Sequence, residues 1–75
     1  MNLCGVLRKM VSGSGKSHRE LAHDLMRGDA YVSVTLTKVC SGKDIGVSKL
    51  VSIADACGYD VAVVSRADGE RVTLD

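Results

Sequence analysis

The stretch SHRELAHDL, residues 17–25, decides the fold of this chain. Ser17 and Glu20 form an S-x-x-E capping box. In this motif the Ser hydroxyl accepts a hydrogen bond from the backbone N–H of Glu, and the Glu carboxylate accepts one from the backbone N–H of Ser. Apolar residues at helical spacing follow: Leu21, Ala22, Leu25 and Met26. The stretch therefore predicts a helix over about residues 17–26 that begins at Ser17.

Two glycines separate this helix from an earlier one. Asn2 is a suitable N-cap, and apolar residues recur behind it at i, i+3, i+4 and i+7, namely Leu3, Val6, Leu7 and Met10. Gly13 and Gly15 favour backbone conformations that helices do not use. A first helix over about residues 3–12 is predicted, and the tripeptide Gly-Lys-Ser at 15–17 is punctuation between helices, not a nucleotide-binding loop.

The segment YVSVTLTKV, residues 31–39, satisfies two patterns. Its apolar residues alternate with Ser and Thr, which is typical of a half-buried strand. In a helix, Val32, Leu36 and Val39 would share one face instead. Asp29, just before the segment, is a candidate N-cap for a helix over about 29–39. The residues alone leave strand and helix open.

The remainder of the chain predicts one more helix and a hairpin. Apolar residues at helical spacing define a helix over about 47–57, with Gly58 as its C′ residue; they are Leu50, Ile53, Ala54 and Cys57. The pattern then changes to alternation on both sides of Asp68-Gly69, a tight-turn signal, which predicts a hairpin over about 59–75. Its alternating apolar residues are Val61, Val63, Val72 and Leu74.

Length and composition narrow the function classes. Seventy-five residues make a single domain, 1–75, and no run approaches the roughly 20 apolar residues of a membrane span. The N-terminal MNLCGVLRKM lacks the pattern of a secretory signal, so a cytoplasmic protein is expected. The three cysteines share no C-x-x-C spacing, which favours reduced, partly buried thiols. We expect no enzyme, no cofactor and no metal site, because the chain shows neither a nucleophile constellation nor ligand spacing.

Charge is distributed unevenly along the chain. Residues 1–49 carry eight Lys/Arg against four Asp/Glu, whereas residues 50–75 carry two against five. The first part therefore has a net charge of +4 and the second a net charge of −3. Such an asymmetry suits a first part that faces a polyanion.

The order of these elements carries a family likeness. The chain resembles the phage Cro/repressor-type (XRE-like) helix-turn-helix family in three stretches: the capped SHRELAHDL, the Gly-initiated GDAYVSVTLTK and the later LVSIADACGYDV. Some members of that family append a short hairpin, which the final VVSRADGERVTLD resembles. The resemblance covers nearly the whole chain. It implies a mainly α, compact four-helix helix-turn-helix domain with a C-terminal β-hairpin. It also implies that residues 31–38 form the recognition helix, which overrides their strand-like alternation.

The resemblance further implies a sequence-specific DNA-binding transcriptional regulator that binds double-stranded DNA, as a homodimer on two half-sites. His18 stands where the family has a Gln that supports phosphate contact. Asp29 departs from the family pattern, since it places a negative charge near the DNA-facing surface, where it would repel phosphate. The DNA-binding residues implied in this way, together with nearby basic side chains, are Ser17, His18, Arg19, Arg27, Ala30, Ser33, Val34, Thr37, Lys38 and Lys43. The hairpin residues Val61, Val63, Val72 and Leu74 are the expected dimerisation surface.

A second hypothesis uses the same scaffold for a different function. A helix-turn-helix fold also suits a protein-binding module, such as the antitoxin of a toxin pair or a phage-encoded inhibitor of a host defence complex. Asp29 and the absence of arginine from residues 31–39 favour this alternative, whereas the net charge of +4 over residues 1–49 favours DNA.

Overall fold

The computed structural model describes residues 2–74, and in them four helices precede a two-stranded antiparallel sheet. The elements are α1 (Leu3–Gly13), α2 (His18–Asp24), α3 (Tyr31–Cys40), α4 (Val47–Ala56), β1 (Val61–Val64) and β2 (Arg71–Leu74). The predicted mainly helical domain with a C-terminal hairpin is confirmed. Met1 and Asp75, the two ends of the predicted domain, lie outside the described residues. Within residues 2–74 no helix is long and apolar enough to cross a membrane.

Two of the three predicted N-caps, Asn2 and Ser17, are present. The Asn2 side chain accepts a hydrogen bond from the backbone N–H of Gly5 at 2.9 Å. The Ser17 hydroxyl accepts one from the N–H of Glu20, and the Glu20 carboxylate accepts one from the N–H of Ser17, both at 3.1 Å. The capping box thus satisfies two donors that would otherwise lack partners at the start of α2.

The segment 31–39, whose sequence fits both a strand and a helix, is helical and belongs to α3. In α3 the Thr35 hydroxyl donates to the carbonyl of Tyr31 at 2.8 Å, and the Thr37 hydroxyl donates to the carbonyl of Ser33 at 2.9 Å. These bonds to the i−4 carbonyl let threonine hydroxyls find partners without leaving the helix. The buried residues of α3 are Val32, Thr35 and Val39, so the helical face wins because it enters the core.

The core takes one fully buried aliphatic side chain from each helix. Leu7, Leu21, Val32 and Ile53 are at most 2% exposed and belong to one hydrophobic cluster. Fully burying such a side chain stabilises the fold by about 1.5–3 kcal/mol relative to leaving it in water. The four helices therefore meet at one place. In each helix, the side chain that holds it there lies on the apolar face that the spacing of its apolar residues predicts.

Two apolar residues predicted on buried faces lie outside. Val6 is 48% exposed, because α1 turns Val11 inward in its place. Met26 is 92% exposed, because α2 ends at Asp24, two residues before the predicted end, and Met26 follows it with φ 56°.

The end of α2 is a Schellman motif with methionine at the left-handed position. The N–H of Arg27 donates to the carbonyl of Ala22 at 2.8 Å, and the N–H of Met26 donates to the carbonyl of His23 at 2.9 Å. The same pair of bonds ends α3, where the left-handed residue is Gly42. It also ends α4, where the left-handed residue is Gly58, the predicted C′ residue. A non-glycine residue in this conformation costs about 1–2 kcal/mol.

Cys4 and Cys40 form a disulfide between the start of α1 and the end of α3, with their Cα atoms 4.8 Å apart. The prediction of reduced cysteines is therefore wrong for this pair. Cys57 is free and buried as predicted, and burial raises the pKa of its thiol. A cross-link over 36 residues stabilises the folded state by about 4 kcal/mol in the chain-entropy model.

The hairpin pairs Val61 with Leu74 and Val63 with Val72 in antiparallel register. Its connection spans residues 65–70, so the predicted turn at Asp68-Gly69 forms part of a longer loop. Just before β1, the Tyr59 side chain packs closely against α1. Its hydroxyl approaches Gly13 so closely that a side chain at position 13 would collide with it. The four apolar side chains share one face, of which only Val61 packs against the helical core.

Replacing Met26 with glycine tests the strained end of α2. Met26→Gly is expected to raise the free energy of unfolding by about 0.5–1 kcal/mol, because glycine adopts positive φ without steric cost and the exposed methionine side chain contributes little packing. Urea unfolding monitored by circular dichroism measures the change. The control is Met26→Ala, which keeps a Cβ and should bring no such gain; equal stabilisation by both would contradict the strain argument.

Candidate functional site

An exposed cleft lies where the start of α2 meets α3. The imidazole Nδ1 of His18 lies 2.9 Å from the hydroxyl oxygen of Ser33, fifteen residues along the chain. The cleft has a volume of about 620 Å³ and is closed on its other side by α1. Its polar lining comes from both sides: Arg8, Ser12, Lys16, His18, Ser33 and Thr37.

The contact between His18 and Ser33 sets the chemistry of this cleft. When the Ser33 hydroxyl donates to Nδ1, the other ring nitrogen of His18 carries the proton and is a donor. None of the residues in the described chain bonds that nitrogen, so it remains for an external acceptor such as a phosphate oxygen. The pair thus fixes the orientation of the imidazole and couples α2 to α3 on one exposed side.

A second groove runs along the other side of α3. Three predicted DNA-binding residues, Ala30, Val34 and Lys38, line it at intervals of four residues. Tyr31 and Lys49 line the same groove, whose volume is about 510 Å³. The exposed ridge of α3 therefore stands between two grooves that both carry positive charge.

Asp29 pairs with side chains of α2 and does not cap α3. The N-cap of α3 is Ala30, which makes no side-chain capping bond, so the prediction of Asp29 as N-cap is wrong. Its carboxylate instead lies 2.8 Å from Nε2 of His23 and 3.1 Å from Nε of Arg19. The hydrogen bond from His23, and then the charge of Arg19, hold the pKa of Asp29 below its usual range. The Arg19 guanidinium thus offsets part of its negative charge.

Ion pairing divides the basic residues into two groups. Lys16 pairs with Asp24 at 2.6 Å, which raises the pKa of Lys16, and Arg19 pairs with Asp29. These surface pairs contribute little to stability, yet they lower the positive charge presented to solvent. Among residues 2–74, three basic side chains line these two grooves without forming an ion pair: Arg8, Lys38 and Lys49.

Four predicted DNA-binding residues line neither groove. The Ser17 hydroxyl is engaged as the cap of α2, and Arg19 is held by Asp29. Lys43 lies in the connection between α3 and α4 and lines neither groove. Arg27 lies beside the aromatic ring of Tyr31, in a third cleft that includes Lys49.

Sequence patterns missed Arg8, Ser12 and Lys49. Arg8 and Ser12 are four residues apart on α1, so they share a helical face, but which face meets α3 depends on how the two helices cross. Lys49 lies in the first turn of α4 and approaches α3 through the tertiary fold. Local periodicity marks such residues as exposed and says nothing of their neighbours.

The side chains around α3 suit polar and anionic partners. Hydroxyl, imidazole, guanidinium and ammonium groups surround α3, and the described residues hold no group of three side chains suited to a metal ion. No protein-family model, curated protein or solved structure matches the chain. The site itself therefore carries the functional argument.

Asp29→Asn tests whether this side of the molecule meets a polyanion. The substitution frees Arg19 and His23 and raises the net charge from +1 to +2, so duplex DNA should bind about two- to fivefold more tightly at 0.1 M salt. Fluorescence anisotropy with a labelled duplex measures this. Asp60→Asn, near the hairpin, is the charge-matched control. Weaker binding by Asp29→Asn would instead assign its carboxylate a direct attractive contact, such as to a cytosine amino group.

The same carboxylate gives a pH dependence with a defined sign. Because the pKa of Asp29 is lowered in the folded protein, its contribution to stability is present above the unfolded pKa and is lost as pH falls through the lowered value. Asp29→Asn should therefore flatten the acid limb of the stability curve at pH values below about 4.

Proposed function

We propose that the chain is a sequence-specific DNA-binding transcriptional regulator of the Cro/repressor type. The observation that carries the proposal is the contact between His18 and Ser33, which joins the start of α2 to the exposed face of α3. In helix-turn-helix proteins the second helix of the motif enters the major groove while the first crosses the backbone. A duplex lying against α3 would then meet His18 at its phosphates and Ser33 at its base edges.

Electrostatics supports a polyanionic ligand. Arg8, Lys38 and Lys49 line the two grooves beside α3 without an ion pair in the described chain, and Arg27 lies beside Tyr31 at the start of this helix. The Asp29 carboxylate, which lines one of these grooves, is paired with Arg19. Non-specific affinity for DNA comes from such phosphate contacts and falls steeply with salt. The net charge of +4 over residues 1–49 agrees with such a ligand.

Base recognition would rest on small side chains. Ser33 and Thr37 offer hydroxyl groups, and Val34, 47% exposed, suits contact with a thymine methyl group. The hydroxyl of Thr37 already donates to the carbonyl of Ser33, so toward a base it is an acceptor. No arginine or glutamine occurs in α3, and bidentate contacts to guanine or adenine are therefore absent from this helix. Direct recognition of base edges is therefore modest, and much of the affinity for DNA comes from contacts with phosphates.

This function places the protein in the cytoplasm, where thiols are kept reduced. There Cys4 and Cys40 would exist largely as the dithiol, whereas the structure holds them as a disulfide. The two states differ in how firmly the end of α3 is held to α1. Binding measurements therefore need both redox states of the protein.

We further propose a homodimer formed through the hairpin. Val63 and Val72 form a cross-strand pair and are 60% and 55% exposed. An isolated two-stranded sheet is marginally stable in water and leaves both edges unpaired. A second copy would cover these side chains, and two copies would combine the contacts of two half-sites.

A protein-binding module, such as an antitoxin or a phage-encoded inhibitor of a host defence complex, is the second candidate. The specific observation in its favour is the exposed Val34 between Ala30 and Lys38 on a helix without arginine. Apolar side chains on an exposed helix face suit a protein groove as well as a DNA groove.

Salt dependence separates the two candidates. A DNA-binding regulator that neutralises about five phosphates should lose affinity for duplex DNA with a log–log slope of about −4 to −5, and Ser33→Ala/Lys38→Ala should weaken binding to a selected cognate site by at least about tenfold. Anisotropy titrations between 0.05 and 0.3 M salt, on oxidised and reduced protein, measure both. Ser65→Ala/Arg66→Ala, a matched loss of one hydroxyl and one charge in the hairpin loop, is the control. A flat salt response would favour the protein partner.

Charged substitutions on the two faces of the hairpin test the dimer. Val63→Glu/Val72→Lys places opposite charges directly across the strands, which preserves the hairpin but prevents apolar contact with a second copy. Sedimentation should then give the monomer mass, with the wild type sedimenting as a dimer. The control, Val64→Glu, faces Arg71 on the opposite side of the same sheet and should stay dimeric. Dimers of the double variant would place the interface elsewhere.

A further inference from the structure

Two basic side chains share one aromatic ring beside the start of α3. The guanidinium carbon of Arg27 lies 5.3 Å from the centroid of the Tyr31 ring, and the ammonium nitrogen of Lys49 lies 4.9 Å from it. Tyr31 is half-buried and packs against the hydrophobic core, so the ring is a fixed support. The ring holds two mobile cations in place, at positions that come from different parts of the chain.

The two cations are not compensated by acid groups. Neither forms an ion pair within residues 2–74, and Asp29, which lines the neighbouring groove, is engaged by Arg19 and His23. The contacts with the ring attract each cation but neutralise neither charge. Because both side chains also line one cleft, an anion bound in that cleft would be attracted by both of them.

Hydroxyl groups complete a cleft around this pair. A depression of about 440 Å³ is lined by Arg27, Tyr31, Lys49 and the hydroxyl-bearing Ser48 and Ser52. Ser52 donates its hydroxyl to the carbonyl of Ser48 at 3.0 Å, whereas the Ser48 hydroxyl makes no hydrogen bond to the described chain. Guanidinium, ammonium and hydroxyl donors together match a phosphate group, which offers several acceptor oxygens.

We propose that this cleft, between the connection after α2 and the start of α4, binds one backbone phosphate of duplex DNA; this inference rests on the proposed function. Lys49 lines both this cleft and the groove that holds Ala30, Val34 and Lys38, so the phosphate site continues the side of α3 assigned to the bases. Tyr31 reduces the conformational freedom that Arg27 and Lys49 lose on binding, which lowers the entropic cost of the contact.

The test compares three double variants in binding to duplex DNA over a salt series. Arg27→Gln/Lys49→Gln removes both charges, and the slope of log affinity against log salt should become shallower by about one unit, with roughly five- to tenfold weaker binding at 0.15 M salt for cognate and random duplexes alike. Arg27→Lys/Lys49→Arg keeps both charges and should retain most of the slope. Lys9→Gln/Arg66→Gln removes two charges from α1 and the hairpin loop, and its slope should equal that of the wild type.

The outcomes separate the site from the function. Salt-dependent binding by the wild type with an unchanged slope in Arg27→Gln/Lys49→Gln would overturn the phosphate site and leave the DNA-binding proposal standing. An equal loss of slope in Lys9→Gln/Arg66→Gln would also overturn the site, because the effect would then follow net charge alone. Absence of salt-dependent binding by the wild type would overturn the proposed function together with the site. Circular dichroism of each variant confirms that the fold is retained.

Discussion

The fold depends on the place where one buried aliphatic side chain from each helix meets the other three. Leu7, Leu21, Val32 and Ile53 occupy this place, and none of them is more than 2% exposed. In a chain of this size a single core must hold every element, because the buried fraction of the surface is small. The position of Val32 matters most, since it brings α3 into the core as a helix and thereby sets which of its side chains remain outside.

Local patterns predicted the elements well because their causes are local. Capping, turn preference and apolar spacing all act within a few residues, so the start of α2 at Ser17 and the C′ glycine at Gly58 follow from the sequence. The conformation of residues 31–39 did not follow from local patterns, since strand and helix both fitted. Burial of Thr35 and Val39 against other helices decided it, which is a tertiary effect.

The candidate site was less predictable, because its geometry depends on long-range contacts. The sequence indicated His18 and Ser33 separately, but their hydrogen bond requires α2 and α3 to cross at this point. Lys49 and the disulfide were missed for the same reason: each depends on an approach between segments many residues apart. Asp29 was misplaced because the N-cap rule is local, whereas its partners His23 and Arg19 lie six and ten residues earlier, one turn apart on α2.

The disulfide and the cleft around Tyr31 lie at opposite ends of α3. Cys40 is held to α1 at the C-terminal end of the helix, while Tyr31, its first residue, supports Arg27 and Lys49 at the N-terminal end. With the disulfide formed, α3 is fixed at both ends and its intervening side chains keep a constant angle to the rest of the domain. Under the proposed function, this would lower the ordering cost of the contacts that the small hydroxyl and aliphatic groups of α3 make with DNA. In the dithiol, the core and the contacts of Tyr31 would hold the helix without the cross-link, so the redox state of Cys4 and Cys40 would connect the packing of α3 to the proposed recognition.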